Sequence, residues 1–236
     1  MTETLFRDDA YLKSCTATVI AVTEQGVVLD RTVFYPTGGG QPGDSGYLRR
    51  MDGSTVDVTN TVKGEAPGEI VHVLAAGSVP PAPGETVSAE IDWARRYVHM
   101  RYHTALHLLC AVVAAPVTGG QIASDKARAD FAIEMEALDK DAIEAKLNAL
   151  VNAGHPVQIG AISDAELDAQ PELIKTMSVS PPRGAGSVRL VEVASVDLQP
   201  CGGTHVRNTS EVGPLQVQKI RSEGKLNKRV IISFAE

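Results

Sequence analysis

Two short stretches, far apart in the chain, constrain this sequence more than any other feature. The first, Arg-Tyr-His-Thr-Ala-Leu-His, carries His103 and His107; the second, Gln-Pro-Cys-Gly-Gly-Thr-His, carries Cys201 and His205. Within each stretch the two ligand-type residues stand four apart. Residues 93–115 have a helical pattern, and an i, i+4 pair on a helix puts both imidazoles on one face, one turn apart. A Gly-Gly-Thr turn is flexible enough to wrap Cys201 and His205 around one point. Three nitrogens and one sulfur suit zinc, whereas magnesium and calcium take oxygen. A lone histidine pair in an apolar helix is more often packing than metal binding, but a second matched pair elsewhere reverses that balance. The expected fold therefore brings residue 205 to residue 103. Four protein ligands fill a tetrahedral site, as structural zinc sites do, while catalysis needs one displaceable ligand; the spacing is compatible with either.

Nothing else in the sequence suggests a more familiar zinc site. A zinc protease carries His-Glu-x-x-His, with the Glu as general base, and here Thr104 follows His103. A zinc finger holds its ligands in one short module, whereas these pairs lie in distant segments. The formal net charge of −7 provides no global attraction to nucleic acid, so any such binding requires a local basic patch. Three irregularly spaced cysteines argue against a disulfide framework and for a reducing compartment. Cys15 and Cys110 read as small buried hydrophobes. The N-terminus is acidic where a signal peptide is basic and then apolar. The apolar stretch 106–117 is too short to span a bilayer. A cytoplasmic protein with no membrane partner is expected.

Along the chain, strand-like runs fall within 16–34, then at 55–59, 69–74 and 86–91. Phe34 to Gly46 packs five glycines and two prolines into thirteen residues, which excludes a helix or strand interior. Helical periodicity covers 93–115 and 139–153, the second with Asp139 as N-cap and Gly154 as terminator. Ser163-Asp-Ala-Glu166 is a capping box opening a short helix ended by Pro171. Further strand-like runs lie at 188–193, 214–220 and 229–234. The order predicts an α+β chain: residues 1–88 as a small β-barrel-like domain with the glycine-rich loop, and residues 89–236 as an antiparallel sheet packed by helices.

These motifs resemble those of the AlaX proteins, free-standing relatives of the alanyl-tRNA synthetase editing domain. His103-Thr-Ala-Leu-His107-Leu-Leu is similar to the family's H-x-x-x-H motif. Cys201-Gly-Gly-Thr-His205-Val, with Thr209-Ser-Glu-Val-Gly-Pro214 and Lys219-Ile-Arg-Ser-Glu-Gly-Lys225 after it, resembles its second motif. The loop 34–46 resembles the one that precedes the editing domain in longer members. The resemblance runs from about residue 30 to the C-terminus. It implies hydrolysis of the ester that joins serine or glycine wrongly to the 3′ end of tRNA(Ala), with one zinc ion held by His103, His107, Cys201 and His205. A pocket for alanine neither excludes the smaller glycine nor strongly rejects serine, so a second hydrolytic site raises fidelity. The alternative is a non-catalytic tRNA-binding module with a structural zinc.

The resemblance also implies roles for other residues. Gln121 and Ser124 lie where the family lines its amino-acid pocket, and Thr104 is placed either to touch substrate or to satisfy a helix carbonyl. Gly38, Gly39, Gly40 and Gln41 permit close backbone approach to the tRNA acceptor end, or else form a tight turn. The same Gly-Gly-Gln tripeptide occurs at the tip of translation release factors, but three residues are too weak a signal to carry a shared mechanism. Lys219, Arg221, Lys225, Lys228 and Arg229 form a basic run, and Arg95, Arg96 and Arg101 another; both are candidates to grip tRNA phosphates, or are solvated surface. His72, His99 and His155 have no partner at ligand spacing.

Overall fold

A computed structural model describes residues 1–177 and 186–235. The chain divides into two compact units, Met1–Val98 and His99–Glu236. The first is built from β1 (Glu3–Thr4), β2 (Ser14–Val22), β3 (Val27–Leu29), β4 (Arg31–Thr32), β5 (Gly46–Arg50), β6 (Thr55–Lys63), β7 (Ile70–Leu74) and β8 (Thr86–Ile91). Six of these strands close an antiparallel barrel in the order β2-β3-β7-β6-β5-β8, while β1 and β4 pair in parallel beside it. Alternation along each strand turns every second side chain inward, so Ala17, Val19, Leu48, Val58, Val87 and Ala89 share one buried core. The boundary expected after residue 88 falls inside β8. That strand pairs with both β2 and β5 and is needed to close the barrel. The division lies instead at Val98, within the long helix that begins at Trp93.

The glycine-rich segment between β4 and β5 is an ordered loop. Gly38 and Gln41 exchange two backbone hydrogen bonds (3.0 and 3.1 Å) across Gly39 and Gly40, whose φ angles of 57° and 82° are left-handed. Two successive left-handed residues define a tight type I′ reversal that side chains with a Cβ disfavour. Gly43 then presses against β6: a Cβ there would stand 2.1 Å from the Thr61 carbonyl oxygen. The loop is seated by Asp44, which accepts the Tyr35 N–H (2.6 Å) and faces the fully buried guanidinium of Arg96.

His72, on β7, is also fully buried in the barrel. Its Nδ1 donates to the Val27 carbonyl (3.0 Å), so its Nε2 accepts the Thr32 hydroxyl (2.7 Å) and both polar atoms are satisfied in the neutral ring. Burial, opposed only by the Val27 bond, lowers its pKa to about 4. The unfolded chain therefore binds one more proton than the folded one between pH 6.5 and about 4. Stability is unaffected by this group above that window and falls as pH drops through it, by at most about 1.4 kcal/mol per pH unit. Urea unfolding of wild type and His72→Asn across pH 4–7 checks this: the acid-side slope is expected to be shallower in the variant.

In the second unit α1 (Trp93–Val113) supplies residues 99–113, followed by β9 (Val117–Ile122), β10 (Ala127–Phe131), α2 (Lys140–Ala153), β11 (Val157–Ile162), α3 (Asp164–Asp168), β12 (Val188–Val193), β13 (Asp197–Pro200), β14 (Leu215–Gly224) and β15 (Asn227–Phe234). One antiparallel sheet runs β14-β15-β10-β9 and a second runs β11-β12-β13. Asp139 caps α2 by accepting two backbone N–H groups, and Gly154 ends it in the left-handed conformation. The capping box of Ser163 and Glu166 opens α3. Residues 117–131, unassigned from periodicity, form the β9–β10 hairpin: β10 is held by pairing to β15 and in turn pairs with β9, which carries the weak strand formers Gly119 and Gly120. Among the described residues no helix is long and apolar enough to cross a membrane.

Candidate metal centre

The two distant motifs meet in the second unit. His103 and His107 project from one face of α1, one turn apart. Cys201 and His205 come from the loop that follows β13. One ligand atom from each of the four residues lies within 4.8 Å of the others. The Cys201 sulfur stands 3.5 Å from His103 Nε2 and 3.3 Å from His205 Nε2. Ligand atoms at bond lengths of about 2.0–2.3 Å around one tetrahedral ion are separated by about 3.3–3.6 Å, so the donor set fits a metal ion. All three imidazoles are buried and Cys201 is half-buried. The ligand loop is latched by Arg189, whose Nη1 donates to the carbonyls of Cys201 (2.7 Å) and Gly203 (3.0 Å).

The electrostatics favour an ionised thiol at the centre. Burial would raise the Cys201 thiol, but the imidazoles of His103 and His205 outweigh it and hold the thiol well below its ordinary value. Burial, with His103 adding to it, pushes His205 down to about 3. The outer nitrogens are occupied in turn. His205 Nδ1 lies 3.2 Å from Thr104 Oγ1, and His107 Nδ1 lies 2.8 Å from Asp197 Oδ2. Burial would raise the Asp197 carboxyl, but His107 and Lys175 bring it down to about 2. Asp197 and Gln199 carry no ligand spacing in the sequence. They have equal parity on β13, so strand alternation aims both to the same side, but nothing local ties that side to the histidine helix.

Other expected residues stand elsewhere. Thr104 is fully buried behind His205, where its hydroxyl also receives the Val206 N–H (3.3 Å); that placement suits orienting the ring. Gln121 is exposed on β9, where its Oε1 accepts from Arg128 Nε (3.2 Å), and Ser124 is exposed in the β9–β10 turn. Gly39 and Gly40 are exposed and Gly38 partly so, but Gln41 is fully buried because the reversal turns it inward.

Of the cationic candidates, Arg101 donates to the Val212 carbonyl (2.9 and 2.7 Å) and lies 3.8 Å from the Phe234 ring centroid. Arg96 is buried on Asp44, and Arg95 reaches the Gly43 carbonyl. Lys228 is buried with its ammonium on the carbonyls of its own hairpin turn, Gly224 and Lys225. Arg229 makes a two-pronged pair with Asp130 (2.7 and 2.9 Å), and Arg221 pairs with Glu223 (3.2 Å). In each case an acceptor within the protein takes hydrogens of the cationic group, and for Arg96, Arg229 and Arg221 that acceptor is a carboxylate. Lys219 and Lys225 are exposed.

Comparison with known proteins follows the same division. Residues 6–95 match the family described as tRNA synthetases class II (A), and residues 188–231, which contain Cys201 and His205, match the threonyl and alanyl tRNA synthetase second additional domain. Over its whole length the chain is 37% identical to the whole of the alanyl-tRNA editing protein AlaX-M of Methanosarcina acetivorans. The chain belongs to the AlaX family. A second member, AlaX-M of Saccharolobus solfataricus, is 35% identical over 98% of both chains. The alanine–tRNA ligase of Sulfurisphaera tokodaii is 33% identical over 92% of this chain and 24% of its own length, so this AlaX protein corresponds to one segment of that larger enzyme.

Proposed function

We propose that this AlaX protein is a cytoplasmic trans-editing hydrolase that removes serine or glycine from mischarged tRNA(Ala), with one zinc ion held by His103, His107, Cys201 and His205. The observation that carries the proposal is the convergence of those four donors within 4.8 Å in a chain of this family. An aminoacyl ester is already activated, so hydrolysis needs little more than a placed water and relief of charge on the tetrahedral oxyanion. Bound zinc supplies Lewis acidity for that task, or a fixed point that orients the amino acid. The protein's own groups set the stage. Thr104 and Asp197 hold the outer nitrogens of His205 and His107, so the inner nitrogens stay turned to the centre. In the second unit, exposed Lys219 and Lys225 are offered to tRNA phosphates; in the first, the open backbone of Gly39 and Gly40 permits close approach of RNA.

A second reading has support in the completeness of the donor set: four protein ligands close a tetrahedral site, as in structural zinc centres, and would leave a non-catalytic tRNA-binding module. Incubation with Ser-tRNA(Ala) and Gly-tRNA(Ala) separates the two. An editor releases the amino acid, with loss of activity on chelation and recovery on adding zinc. A binder protects the ester from spontaneous hydrolysis, and that outcome would refute the catalytic reading.

A further inference from the structure

We propose that Asp197 is the positioning residue of the metal centre: it fixes the His107 tautomer that turns Nε2 toward the metal, and Lys175 and Gln199 hold it there. The inference rests on the metal-binding reading above. Asp197 Oδ2 is 2.8 Å from His107 Nδ1 and 2.8 Å from Gln199 Nε2, and its Oδ1 takes the Lys175 ammonium. The carboxylate side chain is fully buried.

An ionised carboxylate has no hydrogen to give, so a contact of 2.8 Å requires the proton to be on Nδ1. A bare Nδ1 would face carboxylate lone pairs at that distance. Gln199 Nε2 lies 3.2 Å from the same Nδ1 and donates one of its two hydrogens to Oδ2 at the shorter distance, so its bond to the carboxylate is the tighter one. In the neutral ring that a metal ligand must be, the lone pair is then on Nε2, the nitrogen on the far side of the ring from Asp197. His205 is held differently, by the neutral hydroxyl of Thr104. A carboxylate behind an imidazole raises its basicity as a ligand as well as orienting it, so His107 is a stronger nitrogen donor than His205.

Lys175 keeps this arrangement from stranding a buried anion. It is itself anchored: its carbonyl accepts the Val117 N–H (2.9 Å), and the Met177 N–H bonds the Val117 carbonyl (2.8 Å), so the segment is stitched to the head of β9. Gln199 is buried on the same side of β13 as Asp197, two residues on.

The test compares zinc affinity, by chelator competition, in wild type, Asp197→Asn and the double variant Asp197→Asn/Lys175→Met. The double variant removes the charge from both sides of the pair and so guards against a misfolded single variant. Both are expected to bind zinc about ten- to a hundredfold more weakly, and the visible absorption bands of the cobalt(II)-loaded protein should shift as His107 loses its fixed orientation. Wild-type affinity with unchanged cobalt bands in a folded variant overturns the proposal while leaving the metal site standing. Failure of the wild type to take up either metal refutes the metal reading, and this inference with it.

Discussion

Cys201→Ala is expected to slow release of serine and glycine from mischarged tRNA(Ala) by at least about a hundredfold, since losing a ligand outweighs the ten- to hundredfold cost typical of its outer partners. The same protein should still bind tRNA, because that affinity comes chiefly from phosphate contacts. The thiol is the one donor that carries a formal negative charge when ionised. Its ionisation is favoured by two imidazoles that outweigh its burial, and the Gly203 N–H points at the sulfur from 3.4 Å. Alanine removes that charge and leaves three neutral rings around a cation. Single-turnover deacylation, with zinc content measured on the same sample, is the check. A folded, zinc-free Cys201→Ala protein that deacylates at the wild-type rate would show the chemistry to be independent of the metal.

In the barrel unit, Asp44→Ala is expected to cost about 3–5 kcal/mol of stability, the range for breaking a buried pair from one side. Arg96 is wholly inaccessible. Its Nε lies 3.0 Å from each Asp44 oxygen, while Nη1 and Nη2 donate to the carbonyls of Ala10 (2.9 Å) and Val33 (2.6 Å). Removing the carboxylate leaves a guanidinium charge in a dry environment with only neutral acceptors. It also unseats the glycine-rich loop, since Asp44 holds the Tyr35 N–H. Urea unfolding should show the loss as a lower midpoint. The double variant Asp44→Leu/Arg96→Met is expected to recover part of it, because an apolar replacement of both partners strands no charge. A single variant as stable as wild type would mean that the pair is not buried in solution as it is here.

The elements legible from the sequence were those whose signals are local. Asp139 and Gly154 bracket α2, Ser163 and Glu166 open α3, and the spacing of His103 and His107 needs only one turn of helix to have meaning. Most barrel strands showed as β-rich runs, but β5 (Gly46–Arg50) did not, since it follows directly on the glycine-rich loop. The β9–β10 hairpin did not, since its glycines carry no pattern and its pairing partner, β15, lies about a hundred residues further on.

The four candidate ligands could be picked out in one dimension because histidine and cysteine at matched spacing rarely coincide without cause, and folding brings them together. Their surroundings could not. Asp197 looks like any strand residue until folding sets it against His107, and Arg229 looks like a phosphate ligand until Asp130 arrives beside it. Thr104 was open to either a substrate contact or a helix carbonyl, and its hydroxyl stands behind His205. The division has a physical origin. Residue type and spacing along the chain specify which groups can bind a metal or begin a helix, but hydrogen bonds and charge pairing depend on a few ångströms between distant segments, and those distances exist only once the chain has packed.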